Sequence, residues 1–239
     1  MPNRVEDFRV GLEGGGALSA RHYVAAAGDV PAATFVFAHG AGAGQRHPFM
    51  VAYAEGLSER GVDTVTFDFP YMEAKRRLPD RAPVLEQAYL AVIRATRDLR
   101  GAGAHPLFIG GKSMGGRMAS HVAGRRASAA GPLAGLVFLG YPLHPPGRPD
   151  QRRDAHLPDI AVPMLFVQGE RDAFGTPDEL RPVLARLAAP AELMVVEGGD
   201  HSFAVPRASG RSATDVRETV LDGIVTWMRG RRAPQVGSE

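Results

Sequence analysis

Ser113, Asp172 and His201 occur in that order, 59 and 29 residues apart, and each follows a short apolar stretch. A hydroxyl, a carboxylate and an imidazole are what nucleophilic acyl transfer needs. The serine alcohol attacks only when a base takes its proton, and the base works only when an acid fixes its tautomer. The serine lies within Gly111-Lys112-Ser113-Met114-Gly115. Gly-x-Ser-x-Gly alone also describes a glycine-rich turn whose serine caps a helix. Its surroundings narrow the reading: the apolar run Leu107–Gly110 precedes it and a helical pattern over Met114–Ser128 follows. A sharp strand-to-helix turn lifts the serine Oγ clear of the sheet and sets it at a helix N-terminus, where the dipole favours negative charge.

Acyl transfer also needs donors for the oxyanion that forms at the attacked carbonyl. The N–H of Met114, next to the serine, is one candidate. The small-residue run His39-Gly40-Ala41-Gly42-Ala43-Gly44 follows an earlier strand and offers Ala41 N–H as the other. For the acid, Glu170 and Asp178 compete with Asp172. Glu170 comes too early in its turn, and Asp178 after Pro177 reads as a helix-start residue. Among the remaining histidines, His39 reads as support for its loop. His22, His47, His105, His121 and His156 read as surface or helix positions, and His144 as a border of the pocket. No His and acid spacing matches a metal site, and the glycine-rich turn lacks the leading glycine of a phosphate loop. The chemistry requires no cofactor.

These groups must be carried by an alternation of short apolar runs and helical segments, which argues for a parallel sheet covered on both faces. The pattern predicts strands over Phe8–Glu13, His22–Ala27, Ala33–Ala38, Asp63–Phe69, Leu107–Gly110, Gly135–Gly140, Val162–Gln168 and Glu192–Glu197. It predicts helices over Phe49–Arg60, Pro83–Arg100, Met114–Ser128, Thr176–Leu187 and Ala213–Arg229. The expected class is α/β: a mostly parallel central sheet of about eight strands, helices on both faces, and no cap domain. Tyr141 to Val162 is too short and too rich in proline and charge to hold a cap, so the site should be open. Its walls are expected from Phe69, Pro70, Tyr71 and Met72 on one loop and from Leu143, His144, Pro145 and Pro146 on another. Phe69, Tyr71, Met72 and His144 are the candidate substrate contacts. One domain over residues 1–230 is expected, with a flexible tail over 231–239.

Composition bounds the alternatives. The 239 residues are 44% hydrophobic and 23% charged, an ordinary globular balance. There is no cysteine, which excludes disulfides, a thiolate nucleophile and thiolate-bound metal. Lys75 and Lys112 are the only lysines, and the arginine pairs are scattered among acids, so nucleic-acid binding finds no basic stripe. No apolar leader or membrane-length run occurs. The expected setting is therefore cytoplasmic, with a small-molecule acyl substrate as partner and neither nucleic acid nor membrane. The oligomeric state stays open.

At these residues the chain resembles the α/β-hydrolase superfamily over nearly its whole length. Within it, the small cap-less dienelactone-hydrolase-like group is the most similar. The phrases that carry the likeness are Phe67-Asp68-Phe69-Pro70-Tyr71-Met72, Gly110-Gly111-Lys112-Ser113-Met114-Gly115-Gly116-Arg117, Gly140-Tyr141-Pro142-Leu143-His144-Pro145-Pro146-Gly147 and Gln168-Gly169-Glu170-Arg171-Asp172-Ala173-Phe174-Gly175. The resemblance implies a triad of Ser113, Asp172 and His201 and little about substrate. Dienelactone hydrolase proper has a cysteine where this chain has Ser113. A serine esterase is the expected function. Thioester or amide hydrolysis, or a non-catalytic interaction module on the same fold, stays open.

Overall fold

The computed structural model describes residues 4–26, 33–100 and 105–231. Eight strands form one sheet: β1 (Val5–Gly11), β2 (Ala17–Tyr23), β3 (Ala33–Ala38), β4 (Val62–Phe67), β5 (Leu107–Lys112), β6 (Gly135–Leu139), β7 (Met164–Gly169) and β8 (Ala191–Val196). Their spatial order is β1-β2-β4-β3-β5-β6-β7-β8. β1 and β2 pair antiparallel, as do β2 and β4. The other neighbours are parallel.

The parallel strands β3 to β7 are largely apolar because both of their faces are covered, although β4 also buries Asp63, Thr64 and Thr66. Every residue of β3 to β7 is buried. Alternation splits them between two cores. Phe35 and Phe37 of β3 meet α1 (Pro48–Glu59) and α7 (Ala213–Arg229) on one face. Val36 and Ala38 meet α3 (Ala82–Arg100), α4 (Met114–Arg125) and α6 (Pro177–Leu184) on the other. Each such phenylalanine removed from water contributes roughly 1.5–3 kcal/mol. Short helices α2 (Pro70–Glu73) and α5 (Ala127–Ala130) complete the set. Two helix starts carry capping boxes, Thr176 with Glu179 and Ser212 with Asp215.

The second strand lies five residues earlier than the sequence reading placed it, and the last residue of that reading, Ala27, is outside the described residues. Gly14, Gly15 and Gly16 all have positive φ and close a hairpin that sets Gly11 opposite Ala17 and Val5 opposite Tyr23. Buried Leu18, Ala20 and His22 alternate with half-exposed Ala17, Ser19 and Arg21. Alanine and serine give this alternation too little apolar contrast to stand out against the denser run after Tyr23.

Among the described residues, the stretch between β6 and β7 holds only a single 3-10 turn, Leu157–Asp159, and no cap. No helix among them is long and apolar enough to cross a membrane. Of the expected tail, only Arg231 is described, and its guanidinium stacks on Trp227 at 3.8 Å.

The chain runs from β3 outward to β4, then returns to lay β5 on the other side of β3. Loops leaving the carboxyl ends of β3 and β5 therefore diverge. An open α/β sheet has its crevice at such a switch point, and here the two loops are His39–Gly44 and the turn at Ser113.

Candidate active site

Ser113 sits in that second turn at φ 49°, ψ −114°, in the left-handed half of backbone space that L-residues avoid. Its N–H donates to Leu139 O at 3.1 Å. The turn fits only because its flanks have no side chain. A Cβ on Gly111 would stand 2.5 Å from Ala38 O, and one on Gly115 2.3 Å from the same oxygen. The two glycines are thus required by the close approach of β3 to the elbow.

His201 reaches the serine from the loop after β8. Asp200 shapes that loop: its Oδ1 accepts Ser202 N–H at 2.8 Å and Ala204 N–H at 2.9 Å. Gly169 makes room, since a Cβ there would lie 2.2 Å from Asp200 O. The His201 ring stacks on Phe174 with centroids 4.2 Å apart. Its Nδ1 is 2.8 Å from Asp172 Oδ2 and its Nε2 is 2.9 Å from Ser113 Oγ. An ionised carboxylate only accepts, so Nδ1 carries the proton and Nε2 is left to accept from the serine hydroxyl.

Asp172 is 1% exposed. Besides His201 it accepts from Phe174 N–H and Gln168 Nε2, both at 2.8 Å. Gln168 is tied in turn to Tyr141 N–H at 2.8 Å and Gly175 O at 2.7 Å. The competing acids point elsewhere. Glu170 accepts Gly198 N–H at 2.6 Å, and Asp178 lies exposed near Arg181.

Lys112 and Gln168 were not singled out by the sequence reading. Lys112 donates from Nζ to His201 O at 2.5 Å and lies between the rings of Phe49 and Phe203, 5.7 and 5.8 Å from their centroids. Gly140 leaves it space, because a Cβ there would meet Nζ at 2.8 Å. Burial pushes its ammonium down to about 8, against the opposing pull of Asp172 and Asp200. The available signals were a lone cation in a run of small residues and a polar residue at the end of an apolar strand.

His39 is buried and supports its loop. Its Nε2 accepts Phe69 N–H at 3.1 Å, so Nδ1 carries the proton and donates to Gly40 O at 2.8 Å. Ala41 lines a cavity of about 600 Å³ that opens over Ser113, together with Met114, Phe49, Leu85, Pro142 and Phe174. The N–H groups of Ala41 and Met114 donate to no protein acceptor among the described residues.

The expected pocket walls are displaced. Phe69, Tyr71, Met72 and His144 do not border this cavity. Phe69 and Tyr71 are fully buried and pack edge-on against His39, beneath its loop. Met72 packs against the outside of the same loop at Gly44. His144 is turned away, with Nδ1 on Pro145 O at 2.9 Å and Nε2 on Glu179 at 3.0 Å. The walls come instead from Pro79, Asp80, Ala82 and Leu85, and from Pro142 and Arg153. Three histidines expected at surface or helix positions are also buried: His22 against Asp63 at 3.1 Å, His121, on α4, against Glu86 at 3.0 Å, and His156 against Ser120 at 2.7 Å. His47 caps α1 at the cavity mouth. Among the described residues, no cluster of three His, Asp or Glu could hold a metal ion.

Three solved structures have this arrangement of strands and helices. Dienelactone hydrolase from Anabaena variabilis superposes with a TM-score of 0.75 at 18% identity, covering 97% of this chain and all of that one. An α/β serine hydrolase homologue from Coxiella burnetii gives 0.72 at 22% identity, over 92% of this chain and 97% of its own. An α/β serine hydrolase without a lid from Xanthomonas campestris gives 0.71 at 21%, over 95% and 96%. A sequence profile of the alpha/beta hydrolase domain matches residues 31–229. With that match spanning most of the chain, the protein belongs to the α/β-hydrolase family.

Proposed function

We propose that the protein is a serine hydrolase that cleaves carboxylic esters of small to medium acyl groups through an acyl-enzyme. The observation that carries this reading is the hydrogen-bonded chain Ser113 Oγ, His201, Asp172, at 2.9 and 2.8 Å, opening on the cavity. In the mechanism, His201 Nε2 takes the Ser113 proton as Oγ attacks the ester carbonyl. The oxyanion is received by the N–H groups of Met114 and Ala41. Asp172 holds the tautomer and stabilises the imidazolium, which then protonates the departing alcohol. Water, deprotonated by the same His201, attacks the acyl-serine and releases the acid, restoring Ser113.

The test is labelling with a fluorophosphonate probe alongside assays on ester, thioester and amide panels. Wild type is expected to label and to hydrolyse esters. Ser113→Ala loses both while keeping its circular dichroism spectrum. Asp172→Asn lowers kcat by orders of magnitude, and Glu170→Gln leaves it nearly unchanged. A wild-type protein that neither labels nor turns over any panel member overturns the reading in favour of a non-catalytic module.

A further inference from the structure

Two guanidinium groups line the cavity beside Ser113 with no counter-ion. Arg117 lies one turn into α4, its N–H bonded to Ser113 O at 3.1 Å, and Arg153 comes from the stretch between β6 and β7. Among the described residues neither side chain forms an ion pair or a hydrogen bond, and Arg117 Nε is buried without a partner. Arg60 and Arg152, by contrast, are paired. Arg60 holds Glu218 and Asp222, both at 2.7 Å, and Arg152 holds Asp154 at 2.7 Å. Asp80 is the one acid of the lining among the described residues; its Oδ1 is paired with Arg76 at 2.6 Å, and its Oδ2 is buried without a partner.

Such a placement of two like charges is costly in itself. Loss of solvent holds both guanidinium groups below their usual range, and Arg153 and Arg125 add repulsion at Arg117. Half-buried cations of like sign persist at such a position at a cost unless an anion joins them. A guanidinium presents parallel N–H donors that match a carboxylate, and two of them facing one cavity make a strong site for one. Four residues of α-helix separate the Cα atoms of Ser113 and Arg117 by about 6 Å along the axis. The anion therefore sits only a few bonds from the attacked carbonyl.

We propose that Arg117 and Arg153 form a carboxylate-binding subsite and that the substrate is a short ester carrying a free carboxylate. The substrate part of this inference rests on the hydrolase reading above; the subsite does not. A carboxylate there pairs with the Arg117 and Arg153 guanidinium groups and orients the ester towards Ser113. It also selects against neutral esters of equal length.

Two substrate pairs test it. Monoethyl adipate against ethyl hexanoate places the charge on the acyl part. 4-(Butyryloxy)butanoate against its methyl ester places it on the alcohol part. The expected result is a kcat/KM at least tenfold higher for the carboxylated member of one pair. That ratio falls at least tenfold in Arg117→Met and in Arg153→Met, and Arg117→Lys recovers part of it. A second arm does not depend on turnover: adipate is titrated calorimetrically into Ser113→Ala at low chloride, with and without the two Arg→Met changes. Binding that disappears with the arginines supports the subsite. Hydrolysis of neutral and carboxylated esters at equal rates overturns the subsite and leaves the hydrolase reading standing. Adipate binding that depends on both arginines, in a protein that hydrolyses no ester, rejects the hydrolase reading and keeps the subsite. Adipate binding that survives both substitutions overturns it.

Discussion

Ser113 and Lys112 are adjacent in sequence and do opposite things with their surroundings. Ser113 carries backbone strain that holds its hydroxyl at the head of α4, where the next N–H is unused. Lys112 carries an electrostatic cost: a buried ammonium whose one hydrogen bond reaches the carbonyl of the residue that supplies the imidazole. Its position argues for holding the His201 loop in register. Lys112→Met should lower kcat at least tenfold with little change in KM, measured on a short-chain ester. Stability supplies the sign check. The folded-state value of about 8 lies below the unfolded 10.5, so between them the unfolded chain binds the extra proton. Wild-type stability therefore rises with pH across that window. The unfolding free energy of Lys112→Met relative to wild type should shrink by roughly 3 kcal/mol from pH 7.5 to 10.5 in urea titrations.

At the scale of elements, the stretch between β6 and β7 would be a loose flap were it not clasped to α4. His156 Nε2 lies 2.7 Å from Ser120 Oγ and its ring meets His121 edge-on at 4.3 Å. His121 Nδ1 lies 3.0 Å from Glu86 of α3. Arg153 and Arg117 stand three residues before His156 and Ser120, so the clasp holds together the two segments that carry the cavity-lining arginines. Burial first, and then repulsion from His121 and nearby arginines, pushes His156 down to about 3. Below pH 6.5 the unfolded chain takes up a proton that the folded chain refuses, so stability falls as pH drops from about 6.5 towards 3. The urea midpoint of wild type should fall between pH 7 and pH 4 by more than that of His156→Gln. Equal falls would show that the clasp does not set the acid limit.

The whole molecule places its site by topology. The reversal of strand order at β3 and β5 opens the crevice, and both cores brace it from opposite faces of the sheet. With no cap between β6 and β7 among the described residues, the cavity of about 600 Å³ has no cover for a long apolar tail. Across p-nitrophenyl esters from acetate to palmitate, kcat/KM should peak at or below six carbons and fall at least tenfold by twelve. A maximum at long chains would mean that an apolar surface outside this cavity binds the acyl group.

The residues that meet in the hydrogen-bonded chain of Ser113, His201 and Asp172 were legible in sequence because each obeys a local rule. A serine between glycines needs a strand behind it and a helix ahead, and an acid and a histidine each follow an apolar run. Most of the parallel strands were legible for a related reason: burial on both faces keeps them largely apolar, β3 and β6 most clearly. The β2 boundary was not, because it depends on pairing with β1 across a glycine turn and not on its own composition. The cavity walls escaped for a related reason. Phe69 and Tyr71, at the start of α2, and His144, on a loop, lie at the right end of the sheet, yet whether such a side chain faces inward is decided by what packs against it. His39 claims the first two and Glu179 the third. Lys112, Arg117 and Arg153 gain their meaning only from neighbours remote in sequence, and the fold alone determines which charges acquire a partner and which are left facing the site.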